Sequence, residues 1–209
     1  MTRERPSLAT PAAGLPTDEQ LAEQAREGDL YAFGQLVERH QDGVLNVCWR
    51  ISGQREDAED LAQETFLNAL EALDRFESRS RFYTWLYRIA VNAALSHVRK
   101  RAHAGVLRLR AGDQRTTDHQ AAALQAWRDR PGEAPSARLT ARETQERLTA
   151  GLARLDEDHR SVVVLRDIEG LDYAQIGQIL GIARGTVKSR LHRARMELRG
   201  LLRAEAPDR

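Results

Sequence analysis

The chain has one cysteine, Cys48, in 209 residues. No disulfide can close within it, which sets it apart from small secreted scaffolds and suits a reducing cytosol. No apolar run approaches the roughly 20 residues needed to span a bilayer. The stretch from Met1 to Pro16 lacks the apolar segment of a signal peptide. Sustained two-residue alternation is missing, which argues against a sheet. The histidines (His40, His97, His103, His119, His159 and His192) lack metal-ligand spacing and a partnering cysteine pair. There is no phosphate-cradling glycine loop and no nucleophile elbow. Hence no metal, no cofactor and no catalysis are expected. Aromatics are 5% of the chain, so a cluster of them carries information.

The net charge of +1 hides a segregation of charge. Between Gln54 and Phe76 stand Glu56, Asp57, Glu59, Asp60, Glu64, Glu71 and Asp74 against Arg55 and Arg75. Near the C-terminus Arg184, Lys188, Arg190, Arg193, Arg195, Arg199 and Arg203 face Glu197 alone. Arg99, Lys100 and Arg101 form another basic cluster. One such face is usually just solvated. An acidic face combined with basic ones points to contact with both a protein and a polyanion.

Periodicity divides the chain. Residues 1–16 read as a disordered tail. Ala58, Leu61, Ala62, Thr65, Phe66, Ala69 and Leu73 recur at helical intervals, as do Leu86, Ile89, Ala90, Ala93 and His97. Together 17–101 make one helical domain. Residues 102–137 have linker composition, with Gly105, Gly112, Pro131, Gly132 and Pro135. A connection of that length reads as a flexible tether between domains. Helical periodicity returns over 138–203, and 204–209 form a short tail. The expected fold is all-α, with two small helical domains.

The most specific signal runs from Leu171 to Leu198. Asp172 and Gln175 have capping-box spacing and start a helix at Tyr173. Gly181 provides the turn after it. Ile182, Val187 and Leu191 anchor a second helix on the first. This is helix-turn-helix spacing, in which the second helix enters the major groove. With the core positions removed, Arg184, Thr186, Lys188, Ser189, His192 and Arg193 remain to face DNA. Long cations and short hydroxyls suit phosphates and guanine edges. Upstream, Asp156 is the expected N-cap of a supporting helix over Asp158 to Ile168, closed by Gly170.

The first domain concentrates Phe76, Phe82, Tyr83, Trp85 and Tyr87 beside Arg79, Arg81 and Arg88. Stacking on aromatic faces recovers about 1–3 kcal/mol per base, which helps to hold an opened strand. Core packing is the competing reading, and it is preferred for Trp85 and Phe82. Asn92 reads equally as a base contact or as a helix-locking hydrogen bond.

The run Phe82 to Asn92 (FYTWLYRIAVN) resembles the melting and minus-ten-reading helix of extracytoplasmic-function (ECF) RNA polymerase sigma factors. Asp57 to Phe66 (DAEDLAQETF) resembles their core-polymerase-binding helix, and Gly185 to Arg195 (GTVKSRLHRAR) their minus-thirty-five-reading helix. The three matches occur in family order and at family spacing. The resemblance implies a cytoplasmic, non-enzymatic factor that binds core RNA polymerase, directs it to promoter DNA and assists strand opening. It implies docking to polymerase through Asp60, Gln63 and Glu64. Minus-ten contacts would come from Phe76, Ser78, Arg79, Ser80, Tyr83, Arg88 and Asn92, with the loop Phe76 to Arg81 trapping a flipped base. That loop departs from the common pattern in lacking glycine, and Ala183 stands where Pro or Ser is frequent. An anti-sigma factor is a further implied partner. The rival reading is a helix-turn-helix regulator acting without sigma activity, but the first domain does not resemble a ligand sensor.

Overall fold

In a computed structural model of the chain, the described residues are 15–76, 80–110 and 147–204. They form eight helices and no strand: α1 (Asp18–Arg26), α2 (Leu30–Ser52), α3 (Arg55–Glu71), α4 (Phe82–Arg110), α5 (residues 147–154), α6 (Glu157–Val163), α7 (Tyr173–Leu180) and α8 (Arg184–Ala204). The expected all-α fold is observed. The tail through residue 14, the linker over 111–137, the 205–209 tail, and Ser78 and Arg79 lie outside the described residues.

Local chemistry sets the helix ends. Thr17 accepts from the Gln20 amide, and the Gln20 side chain accepts from the Thr17 amide, a reciprocal cap for α1. Asp29 accepts from the amides of Tyr31 and Ala32 to begin α2. Gly53, at φ 79°, ends α2 in the left-handed conformation that glycine adopts without strain.

The first domain packs α1 to α4 around Leu36, Val47, Ile51, Leu61, Phe82 and Leu86, each no more than 4% exposed. Fully burying a side chain of this size contributes about 1.5–3 kcal/mol. Asp18 ties α1 to α2, its carboxylate 3.0 Å from Arg39 Nη1 and 2.7 Å from His40 Nε2. A 3₁₀ turn, Leu73–Arg75, reverses the chain after α3 and drops Phe76 onto the core.

Two boundaries differ from those read in the sequence. The linker was expected to begin at 102, yet α4 continues to Arg110. Residues 102–110 (AHAGVLRLR) are mostly Ala, Leu and Arg, strong helix formers, and one internal glycine costs only about 1 kcal/mol. The supporting helix starts at Glu157, capped by Asp156, and is α-helical only to Val163. It then widens into a π turn, Val164–Ile168, where the Glu169 amide donates to the Val164 carbonyl at 3.0 Å. Gly170, at φ 76°, ends it.

The second domain, α5 to α8, is centred on Leu152, Leu165, Ile176, Ile179, Val187 and Leu191. It packs directly against the first: α7 lies along α4, and the π turn and α6 meet α2.

Candidate nucleic-acid interface

The helix-turn-helix is built by local contacts. Asp172 accepts from the Ala174 and Gln175 amides at 2.7 and 2.9 Å, and the Gln175 side chain accepts from the Asp172 amide at 2.7 Å. After α7, Gly181 adopts φ 66°. The Ile182 amide then donates back to the Gly177 carbonyl at 3.0 Å. A Cβ on Gly177 would stand 2.8 Å from the Ile182 carbonyl oxygen, so glycine at 177 lets the turn close this tightly.

Val187, Leu191 and Ala194 of α8 are buried, which turns the opposite side of the helix outward. Arg184, Lys188, Ser189, His192 and Arg193 are exposed there, and Thr186 is half-buried at their edge. Ser189 Oγ donates to the Thr186 carbonyl at 3.0 Å. The cations of α8 fall into two sets. Arg190 is bound to Asp158 at 2.8 Å and Arg195 to Asp167 at 3.0 Å, fixing α8 to its own domain. Arg184, Lys188 and Arg193 form no ion pair with the described residues.

The acidic helix α3 is also two-faced. Ala58, Leu61, Ala62, Thr65 and Ala69 are buried, while Asp60, Gln63 and Glu64 are exposed in one row. Leu67 continues that row and is 62% exposed, an apolar residue the sequence reading missed. Its i+3 and i+4 spacing from Glu64 and Gln63 was the available signal. Asp57, by contrast, is engaged internally, 3.0 Å from Arg101 and 3.1 Å from His97.

The expected minus-ten residues separate. Phe76 is 6% exposed, its ring 5.6 Å from Phe82 and 5.3 Å from Trp85, so in this state it is a core residue. Tyr83 is buried and its hydroxyl accepts from Gln175 of α7. Arg88 and Asn92 are exposed, one helical turn apart on α4, and Ser80 precedes them at the helix start. The Asn92 side chain makes no hydrogen bond with the described residues.

The scattered histidines read from sequence include one that folding gives acidic neighbours. His159 Nδ1 lies 2.9 Å from Asp156 and 2.8 Å from Glu197, a bracket between the start of α6 and α8. Cys48 is fully buried, and burial, with Glu64 nearby, pushes its thiol up to about 12 despite a Thr65 hydrogen bond. At ordinary pH the reactive thiolate is therefore suppressed.

A helix-turn-helix with an outward row of cations, joined to a second helical domain with an exposed acidic row, is the architecture of a sigma-70-type transcription factor. The profile of Sigma-70 region 2 matches residues 36–104, and that of Sigma-70, region 4 matches residues 145–198. The ECF RNA polymerase sigma factor SigW of Bacillus subtilis is 33% identical over 86% of this chain and 94% of its own. The RNA polymerase sigma-H factor of Pseudomonas aeruginosa is 36% identical over 85% of this chain and 90% of its own. Among solved structures, CnrH in complex with the cytosolic domain of CnrY superposes with a TM-score of 0.63 at 30% identity, covering 90% of this chain and 99% of that one. The sigma factor RpoE, in complex with the anti-sigma factor NepR from Bartonella quintana, gives 0.62 at 26% identity, covering 83% of this chain and 98% of that one.

The chain belongs to the ECF RNA polymerase sigma factors. It is a non-catalytic initiation factor that binds core RNA polymerase and directs it to promoters. The first domain is region 2 and the second is region 4. No helix among the described residues is long and apolar enough to cross a membrane.

Proposed function

We propose that region 4 reads the minus-thirty-five element through Arg184, Thr186, Lys188, Ser189, His192 and Arg193. In region 2, Ser80, Arg88 and Asn92, with Ser78 and Arg79, read the minus-ten element and hold the opened strand. Tyr83 joins them once its bond to region 4 is released. Phe76 supports that surface from beneath by packing on Phe82 and Trp85. The row Asp60, Gln63 and Glu64 docks to core polymerase, with Leu67 as its apolar anchor. The factor acts in the cytoplasm, where polymerase and chromosome are found, and an anti-sigma factor of the kind bound to the Bartonella relative is a fitting regulator.

The observation that carries this reading is the division of cations on α8. Those that hold the fold are paired with Asp158 and Asp167, and those on the outer face have no carboxylate partner among the described residues. Phosphates and guanine edges are natural partners for such a set. Run-off transcription with core enzyme on a promoter library tests it. The chain should select a family of sequences with two conserved blocks, and it should protect neither block without core polymerase. Protection of an operator by the chain alone would favour the regulator reading instead.

A further inference from the structure

His159 meets carboxylates in a way that the other paired histidines do not. His40 and His97 each face one carboxylate through Nε2, Asp18 at 2.7 Å and Asp57 at 3.1 Å. Such a pair needs one ring hydrogen and one acceptor. His159 instead draws two carboxylates to the same nitrogen: Asp156 Oδ2 lies 2.9 Å and Glu197 2.8 Å from Nδ1. One ring nitrogen carries at most one hydrogen, in either charge state of the imidazole. It can satisfy one of these oxygens and not both, and the second hydrogen of a charged ring sits on Nε2, away from the shared contact. As hydrogen-bonding partners the three groups are unbalanced. As ligands they are balanced, since two carboxylates and a neutral imidazole match the charge of one divalent cation.

The surroundings suit that role. The three donor atoms, one from each residue, lie within 4.8 Å of one another, and no other such group of histidine, cysteine and carboxylate donors occurs among the described residues. Asp156 Oδ1 accepts from the His159 amide at 2.8 Å as the cap of α6, which aims Oδ2 of the same carboxylate at the ring. A ligand oriented by an outside hydrogen bond is characteristic of metal sites. Glu197 comes from α8, 38 positions away, and is the only acidic residue of that otherwise basic helix. The His159 side chain is 19% exposed, while those of Asp156 and Glu197 are 56% and 42% exposed, so an ion can enter from solvent and keep water.

The donor set also selects the ion. Mg²⁺ and Ca²⁺ take all-oxygen shells, whereas imidazole nitrogen with carboxylate oxygen suits divalent transition ions. Zn²⁺ binds His nitrogen and carboxylate oxygen at about 2.0–2.2 Å, which sets tetrahedral ligands about 3.3–3.5 Å apart. The donors on Nδ1 thus need to spread by only about 0.5 Å, within reach of two exposed carboxylates turning about their own bonds.

We infer that Asp156, His159 and Glu197 form a three-ligand site for a divalent transition metal ion of the Zn²⁺ class, with water completing the shell. The ion ties α6 to the distal half of α8, one turn beyond Arg193, and so holds the helix-turn-helix to its supporting helix. Three side chains do the binding, and none of them belongs to the surfaces assigned above to DNA or polymerase.

Titration of the full-length, untagged chain with Zn²⁺ and with Co²⁺ tests the site. One equivalent of Zn²⁺ should bind, and Co²⁺ should gain the visible absorption of a four-coordinate ion, which Zn²⁺ then abolishes. Asp156→Asn retains an effective helix cap, and Glu197→Gln retains the size of an exposed side chain. These two and His159→Gln should each weaken Zn²⁺ binding at least tenfold, while His103→Ala should leave it unchanged. Saturating Zn²⁺ should raise the Tm of the wild type and of His103→Ala, and EDTA should reverse the rise; the three ligand variants should not respond. A hundredfold excess of Mg²⁺ should not displace the ion. Circular dichroism at the wild-type level for Asp156→Asn and Glu197→Gln assigns their loss to the ligand and not to folding. A wild type that takes up no Zn²⁺, binding that survives the three substitutions, or Zn²⁺ held no more tightly than Mg²⁺ would each overturn the site. Because the readout is metal uptake, such a failure leaves the promoter-reading assignment untouched.

Discussion

Replacing Gly177 with alanine should loosen the helix-turn-helix and weaken minus-thirty-five recognition. The added Cβ would stand 2.8 Å from the Ile182 carbonyl oxygen, closer than real Cβ atoms approach. That oxygen is backbone, and the Ile182 amide is bound to the Gly177 carbonyl at 3.0 Å, so no side-chain rotation relieves the clash. Helix propensity alone favours alanine by about 1 kcal/mol. Overpacking of this kind costs about 1–3 kcal/mol. A matched substitution separates the two effects. Gly34 lies in α2 with nothing within 4 Å of an added Cβ, so Gly34→Ala should stabilise by about 0.5–1 kcal/mol. Gly177→Ala should therefore fall about 1–3 kcal/mol below Gly34→Ala. Hydrogen exchange of the α7 and α8 amides reads the local loss, and urea unfolding reads the global one. Holoenzyme affinity for a promoter fragment carries the functional consequence. Equal stabilisation by the two alanines would refute the close approach as the reason for glycine at 177.

Arg193→Ala should cost about 1–3 kcal/mol at selected promoters if the guanidinium pairs with a base. If it holds only phosphate, affinity should fall uniformly and the salt slope should shrink by about 0.9; binding by holoenzyme across salt distinguishes these. Charge reversal of Asp60 and Glu64 together should abolish co-purification with core polymerase while circular dichroism stays unchanged. Phe76→Ala should lower stability by about 3–5 kcal/mol, as expected for an aromatic packed on Phe82 and Trp85. Asn92→Ala should leave stability nearly unchanged and reduce permanganate-reactive thymines in the open complex. At Asp18, burial pushes the carboxyl pKa up, but the hydrogen bonds and charges of His40 and Arg39 outweigh it and leave it below 3.8. Its contribution is thus present above pH 3.8 and lost as pH falls through the lower folded value. Asp18→Asn should cost about 1–2 kcal/mol in urea unfolding at neutral pH, a difference that narrows below that point.

What was legible in the sequence is what short range decides. The caps at Asp156 and Asp172, the turn at Gly181 and the anchors Val187 and Leu191 all lie within a few residues of what they control. Phe76 was harder, because an aromatic beside arginines has the same sequence signature whether it stacks on a base or on a core. The 3₁₀ turn after α3, which turns it inward, has no distinctive spacing. The reach of α4 was hidden by Gly105, whose linker character masks the helix-forming residues around it. The docking of the two domains was not legible at all, since Asn46 and Glu169 are 123 positions apart and Tyr87 and Glu169 are 82 apart. Such pairs become visible only when the two domains are seen together.

Arg160 has a consequence for how a parting of the domains would travel. Its guanidinium terminates two helices at once, taking the Ile51 carbonyl at the end of α2 and the Ala153 and Leu155 carbonyls at the end of α5. A cation at a helix C-terminus offsets the negative end of its dipole. Were the domains to part, Arg160 would leave with region 4, so α5 would keep its counter-charge and α2 would lose it. The last turn of α2 would then face water with uncompensated carbonyls, three residues before α3 begins at Arg55. Fraying would thus fall at the entrance to the helix that carries Asp60 and Glu64. The amides of Ile51 to Gln54 become a natural gauge: their exchange with solvent should quicken when the regions separate, while those at the end of α5 hold.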